Sequence, residues 1–455
     1  MTHTMGPRIG GPMRQAAIGF VFVLLAAVPT AGAAQSPLRP LEVHTQSAVP
    51  PDDLDFGGRV AARGTVVVAS GSTPGGVAEM AFWKRSGGAW TRTSIPGPFP
   101  GFDAAPVATD GVSVYRAIPA SPSGLTLQSL STAGIGATAS GATVGPRGLV
   151  WETVYASGQT STEADGLAAT VLAFGNFAIG PALAVTWRDL QTSPLQAQSH
   201  LVILANLGAL WAVEHSLTLP QAGALQVAID DHRLALGIPG LDQVQVYERV
   251  PSPSSSTWQL RSTLFAPPNA IGFGESVALS GSRLAVGAPR TELCVVPPTI
   301  GCGPRGQVYF FERQGGGSWV AAGSLLSGLE GVPIDAELGT SVALSEDGSR
   351  LAVGAPGWPH DEAEGGAAGQ GAVLVAHEPA GASPLWRQTA LATSAPPELD
   401  RLGAAVAWAD DDLFGGAPQH LVAGRISGAM LRFSEEIFSD GFASGDVSAW
   451  SQSTP

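Results

Sequence analysis

The stretch Gly272–Pro289 reads GFGESVALSGSRLAVGAP and holds two short apolar runs around a tight turn. Ser276–Ser280 (SVALS) has strand length, Gly281-Ser282 is a two-residue turn signal, and Arg283–Ala288 (RLAVGA) is a second strand stopped by Pro289. Two such runs separated by Gly-Ser predict a β-hairpin. The pattern then returns. Leu338–Pro356 reads LGTSVALSEDGSRLAVGAP, with a turn two residues longer, and Leu402–Pro418 reads LGAAVAWADDDLFGGAP. Gly274 is matched by Gly339, 65 residues on, and by Gly403, 64 further. Self-similarity at such a period predicts an array of β units.

Each copy continues in the same way. A loop of variable length follows the Ala-Pro, then a strand such as Gln307–Arg313 (QVYFFER), a Gly-rich turn, and a strand opened by Trp, Ser318–Leu326. Four strands per unit is the content of one propeller blade. Stacked blades cover every strand on both faces, so strict apolar/polar alternation should weaken, as it does in QVYFFER. The innermost strand lies where the blades converge and should be rich in small residues, as SVALS is. Seven units over residues 52–433, about 55 residues each, predict an all-β chain folded as a seven-bladed β-propeller of four-stranded blades. Six or eight blades are the alternatives. The units open at Asp55, Gly101, Gly148, Gly223, Gly272, Leu338 and Leu402. Boundaries are least defined over residues 101–222, where Ala168–Val185 reads as either a hairpin or a buried helix. One strand, Leu41–Val49, precedes the first unit, and the last unit lacks a fourth strand. Pairing Leu41–Val49 with Gly428–Phe433 would complete the last blade and remove an exposed edge.

Phe273-Gly274 with Gly287-Ala288-Pro289 resembles the FG-GAP repeat, the blade unit of the integrin α-subunit propeller and of many secreted bacterial proteins. Leu338-Gly339 with Gly354-Ala355-Pro356, and Leu402-Gly403 with Gly416-Ala417-Pro418, are close copies. The resemblance covers residues 223–433 best and implies a ligand-binding or adhesion propeller. Integrin-type repeats often carry a calcium loop of DxDxDG type after the Ala-Pro strand, and this chain departs from that pattern in every unit.

Composition agrees with short strands and many turns. Of 455 residues, 59 are Gly and 36 Pro, while charged residues make up only 13%. The N-terminus reads as a targeting segment: Arg8 and Arg14 precede an apolar run, Ala16–Val28, and Ala31-x-Ala33 fits a signal-peptidase site. Residues 1–33 are therefore expected to be a removed signal peptide, residues 41–433 the propeller, and residues 434–455 a tail. The run is short for an uncleaved span, so no stable transmembrane segment is expected after cleavage. Losing Arg8 and Arg14 takes the formal charge from −14 to −16. An acidic protein without a basic cluster should repel nucleic acid. The expected location is secreted, extracellular or cell-surface, with the periplasm as a further compartment, and the expected state is a monomer.

Few residues suggest chemistry. Cys294 and Cys302 sit in one loop, CVVPPTIGC, and in a secreted chain the economical reading is a disulfide closing it. Metal ligation by two Cys without nearby His is the lesser reading. Asp361, Glu362 and Glu364 lie on a Gly-rich loop and could supply oxygen ligands to Ca²⁺; the competing reading is a solvated acidic loop. No other cofactor is expected. Asp230-Asp231 and Asp410-Asp411-Asp412 fall at hairpin turns, where Asp is common. The eight histidines are scattered and no HExxH occurs. Gly339-Thr340-Ser341 is the nearest thing to a nucleophile elbow, but it lacks the second Gly and lies in the repeated inner strand beside its counterpart Ser276. The recurring Trp83, Trp90, Trp258, Trp319 and Trp386 read as blade packing rather than sugar stacking. The tail, IFSDGFASGDVSAWS over Ile437–Ser451, resembles a short C-terminal tag of many unrelated secreted Gram-negative proteins, with Ala443 where that pattern has Glu. The expected function is a non-catalytic module that binds a protein or carbohydrate ligand at a loop face. The alternative is an extracellular hydrolase or lyase built on a propeller scaffold.

Overall fold

The computed structural model describes residues 36–37, 42–45, 56–71, 80–95, 106–120, 124–132, 152–156, 162–169, 182–189, 198–206, 211–220, 223–230, 232–250, 257–294, 302–324, 332–358, 369–377, 387–393, 400–422 and 425–434. Among them the regular structure is all β, apart from one 3-10 turn at Pro239–Leu241. The hairpin that opened the sequence reading is present with the expected bounds: Ser276–Ser280 pairs antiparallel with Arg283–Ala288.

The strands group into antiparallel sheets, each built from four strands in spatial order. Sheet 1 spans Arg59–Arg63 to Ala89–Ile95, and sheet 2 spans Val107–Thr109 to Glu152–Ala156. Sheet 3 spans Thr162–Ala169 to Trp211–Pro220, sheet 4 Gln226–Ile229 to Thr257–Phe265, and sheet 5 Ser276–Ser280 to Trp319–Ser324. Sheet 6 spans Ser341–Leu344 to Arg387–Thr393. Sheet 7 begins at Ala405–Ala409 and continues through Asp412–Ala417 and Ala429–Ser434. Its fourth strand is Glu42–Thr45, which pairs antiparallel with Ala429–Ser434, with Val43 opposite Leu431. The lone N-terminal strand thus lies where edge closure required it, shorter than Leu41–Val49. Ser36–Pro37 adds a parallel fifth strand beside Arg387–Thr393 of sheet 6.

Over residues 101–222 one expectation changes and one open reading is decided. Glu152–Ala156 pairs with Gly124–Ser131, so the second unit runs to Ala156 and the third begins after it. Of the two readings of Ala168–Val185, the hairpin holds at its described ends, where Thr162–Ala169 and Ala182–Asp189 pair antiparallel. Residues 170–181 lie outside the described residues.

The core is not one mass but a series of layers. Each hydrophobic cluster joins the facing surfaces of two consecutive sheets. Phe310 and Leu374 meet between sheets 5 and 6, Val375 and Phe433 between sheets 6 and 7, and Leu236 and Leu201 between sheets 4 and 3. One cluster joins the last sheet to the first, with Phe414 and Met430 against Phe56, Val67 and Trp83. Second strands are buried along almost their whole length, whereas fourth strands such as Thr257–Phe265 alternate with solvent. Fully burying one such Phe or Leu contributes about 1.5–3 kcal/mol. First strands lie against one another in chain order, and Ala405–Ala409 lies against Arg59–Arg63. Radial packing of four-stranded antiparallel sheets in this manner is propeller-like.

The repeat signature has a steric cause. The glycine of Gly-Ala-Pro faces the backbone carbonyl of the Phe-Gly glycine in the next sheet. Gly287 meets Gly339, Gly354 meets Gly403, and Gly416 meets Gly57. A Cβ at Gly354 would overlap the Gly403 oxygen and lie 2.8 Å from its carbonyl carbon. Gly403 itself sits at φ +92°, a conformation that L side chains rarely adopt. Hydroxyls fasten the same seam: Ser276 donates to Gly339 O at 2.7 Å, and Ser341 donates to Gly403 O at 2.8 Å. The seam between sheets 7 and 1 adds a charge network, in which buried Asp412 accepts from Trp90 Nε1 at 2.8 Å and from Arg432 at 3.1 Å. Asp412 is therefore more than a turn residue.

Candidate functional site

Strand direction sorts the loops onto two ends. Strands alternate in direction across each sheet, so first strands start, and second strands finish, at the same end. The hairpin turns Gly281-Ser282, Glu346–Ser349 and Asp410-Asp411 all fall at the other end and are short. The starting end carries the connections 266–275, 289–306, 356–371 and 418–428, while in sheets 2 and 3 the connections 132–151 and 170–181 belong to the other end. Two of these contain small ribbons of their own, Glu292–Cys294 with Cys302–Pro304 and Leu421–Val422 with Arg425–Ile426. Binding groups collect on loops held by a rigid scaffold, so this end is the candidate face.

At its centre the opening residues of the first strands line a cavity of about 190 Å³. Arg59, Val107, Gln226, Glu275, Thr340 and Ala405 represent six of the sheets there. The first strands are sheet edges, so backbone N–H and C=O groups add to the polar lining. Charges at the rim are paired in alternation. Arg290 bonds Glu275, and Arg401 bonds Glu337 at 2.7 Å. Burial pushes the Glu275 carboxyl above its ordinary range. Arg290 opposes that shift, and the neighbouring Glu337 reinforces it. Further along the rim, buried Asp400 meets His420 Nδ1 at 3.0 Å.

The structure sorts the sequence candidates. Ser276 and Ser341 hold the sheet seams rather than a reacting centre. Trp83, Trp258 and Trp319 are buried, and Trp90 is half-buried with its indole on Asp412; Trp386 lies outside the described residues. Asp230 caps its turn, accepting from the N–H groups of His232 and Arg233. Asp361, Glu362 and Glu364 lie outside the described residues. Among the described residues no group of three His, Cys, Asp or Glu converges to hold a metal ion. Cys294 and Cys302 sit opposite each other across the Glu292–Cys294 and Cys302–Pro304 pair, a backbone register compatible with a bridge. Their side chains lie outside the described set. Sequence reasoning missed the Glu275–Arg290 and Glu337–Arg401 rim. The signal was faint: both acids flank the Phe-Gly or Leu-Gly pair, but at different positions.

No protein-family model matches the chain, and no curated protein sequence is similar to it. Solved structures resemble it distantly. A candidate 6-phosphogluconolactonase of Bacteroides uniformis aligns over 77% of this chain and 90% of its own, at 11% identity and TM-score 0.44. Sqt1 of Saccharomyces cerevisiae aligns over 88% and 86%, at 12% identity and TM-score 0.42. A mutant Aleuria aurantia lectin bound to Fucα1-6GlcNAc aligns over 76% and 99%, at 13% identity and TM-score 0.39. Among the described residues, no helix is long and apolar enough to cross a membrane.

Proposed function

We propose that the chain is a secreted, FG-GAP-type propeller of seven blades that binds a protein or glycan ligand at its loop-bearing end and catalyses nothing. The observation that carries this reading is the polar cavity at the end where sheets 5 to 7 carry the connections 289–306, 356–371 and 418–428, opposite their short hairpin turns. Seven four-stranded units, each packed on the next, with the last packed on the first, support a count of seven blades. A ring closed by its own N-terminal strand is a rigid platform, and a rigid platform limits the ordering entropy of binding. The Cys294–Cys302 disulfide would stiffen the longest of these loops.

An extracellular hydrolase or lyase is the second reading, and the Asp400–His420 pair favours it. The pair ties the 418–428 loop to the segment entering sheet 7, and on the same loop Ser427 N–H donates to His420 O. The test is a screen of the mature protein against glycan and extracellular-protein arrays, run beside a panel of hydrolase and lyase substrates. Retention of a ligand without turnover supports the proposal. Turnover lost in Asp400→Asn would replace it with the enzyme reading.

A further inference from the structure

Large apolar side chains exposed to solvent are unevenly placed. Of the ten among the described residues, six lie at the loop-bearing end, three within fourth strands, and only Val112 at the turn end. Four of the six follow one another in an arc around that end, from sheet 4 to the connection between sheets 5 and 6: Leu241, Phe265, Ile271 and Ile334, exposed by 45%, 70%, 45% and 40%. Backbone hydrogen bonds join the first two of these segments and fasten the other two to neighbouring loops. Ala266 N–H donates to Asp242 O, Arg290 N–H to Ile271 O, and Asp335 N–H to Pro304 O. A ring as exposed as that of Phe265 at the end of a strand gains nothing for folding, and a rimmed apolar patch marks an interaction surface.

The charges on the arc select its partner. Asp242 and Asp335 are exposed, each adjoining an apolar member, and neither forms an ion pair among the described residues. The arginines nearby are engaged: Arg290 with Glu275, Arg401 with Glu337, and Arg305, buried, with Val332 O. The arc therefore presents apolar side chains punctuated by unneutralised carboxylates. Resting on the proposal that the loop-bearing end binds, we propose that this arc docks a basic, apolar peptide segment of a partner protein. A neutral glycan would leave Leu241, Ile271 and Ile334 uncovered and both carboxylates unpaired. Nucleic acid and anionic lipid meet like charge there.

The test uses labelled twelve-residue peptides and fluorescence anisotropy with the mature protein. An alternating Arg/Leu peptide should bind at least about ten-fold tighter than Arg/Ser or Glu/Leu peptides, since both the apolar and the basic elements contribute. Phe265→Ser should weaken binding by about ten-fold or more, as loss of a central aromatic anchor does. Asp242→Asn with Asp335→Asn should weaken it less and flatten its salt dependence. Val112→Ser at the turn end should change nothing. Equal binding of the Arg/Ser peptide would reveal charge attraction alone and overturn the inference, as would full binding by Phe265→Ser. A neutral glycan retained on the array and lost in Phe265→Ser, with the Arg/Leu peptide inert, would overturn the partner class yet leave the loop-end reading standing.

Discussion

Replacing Gly354 by alanine isolates the interlock between sheets. Gly354 lies outside the left-handed region, so alanine suits its backbone and only the contact is at issue. The new methyl would overlap Gly403 O, stand 2.8 Å from Gly403 C, and crowd Ser341 Oγ. Ordinary contact begins near 3.4 Å. Gly403 O belongs to backbone, so sheets 6 and 7 must separate rather than one side chain rotate. Overpacking of this kind costs about 1–3 kcal/mol. Displacing the Ser341 hydroxyl from Gly403 O removes about 1 kcal/mol more. Reduced freedom of the unfolded chain returns about 0.4–1 kcal/mol. The net expectation is a loss of about 1–3.5 kcal/mol, or roughly 1–4 °C in Tm for a cooperative unit of this size. Differential scanning calorimetry of Gly354→Ala beside Gly315→Ala gives the comparison. Gly315 has nothing within 4 Å of an added Cβ, so its variant should match or slightly exceed the parent. Equal Tm values for the two variants would refute the interlock as the reason for the repeated glycine.

Removing residues 34–45 should lower the Tm of the whole ring, because Ala429–Ser434 would become an open edge, whereas removing residues 438–455 should leave it unchanged; calorimetry of both truncations decides. Non-reducing peptide mass mapping should recover the Cys294–Cys302 linked peptide, with the bridge stabilising by about 2–3 kcal/mol in the chain-entropy model, and two free thiols would remove it from the account. Burial pushes the His215 imidazole below its ordinary value, so the unfolded chain binds that proton more readily. Its contribution is present above about pH 6.5 and lost as pH falls below. His215→Phe should therefore flatten the urea-denaturation profile between pH 7 and 5.

The fold was legible where the repeat is strong, and the reason is steric. Gly274, Gly339 and Gly403 recur because all three hold a positive φ (+91°, +92° and +92°) hard against backbone of the preceding sheet, so the sequence must repeat what the geometry repeats. Gly237, Gly287 and Gly354 answer them from the second strands. The lone strand at Leu41–Val49 could be placed by counting edges alone. Sheets 2 and 3 were harder to read because their second strands lack the Gly-Ala-Pro partner; Ser113–Ala120 reads SVYRAIPA and Ala182–Asp189 reads ALAVTWRD. Glu152–Ala156 therefore falls within the third unit by sequence and in sheet 2 by pairing. The candidate face was legible only as loops. Glu275 and Glu337 come together through ring geometry, not spacing, and the exposure of Phe265 at the end of Thr257–Phe265 cannot be told from burial when neighbouring strands end in apolar residues too.

Hydrogen–deuterium exchange of the mature protein, with and without a ligand retained on the arrays, tests the central claim most directly. Binding at the loop-bearing end predicts slowed exchange over residues 266–275, 289–292 and 332–340, with none at the turns 281–282, 346–349 and 410–411. Protection confined to those turns, or to the outer faces of the fourth strands, would contradict it.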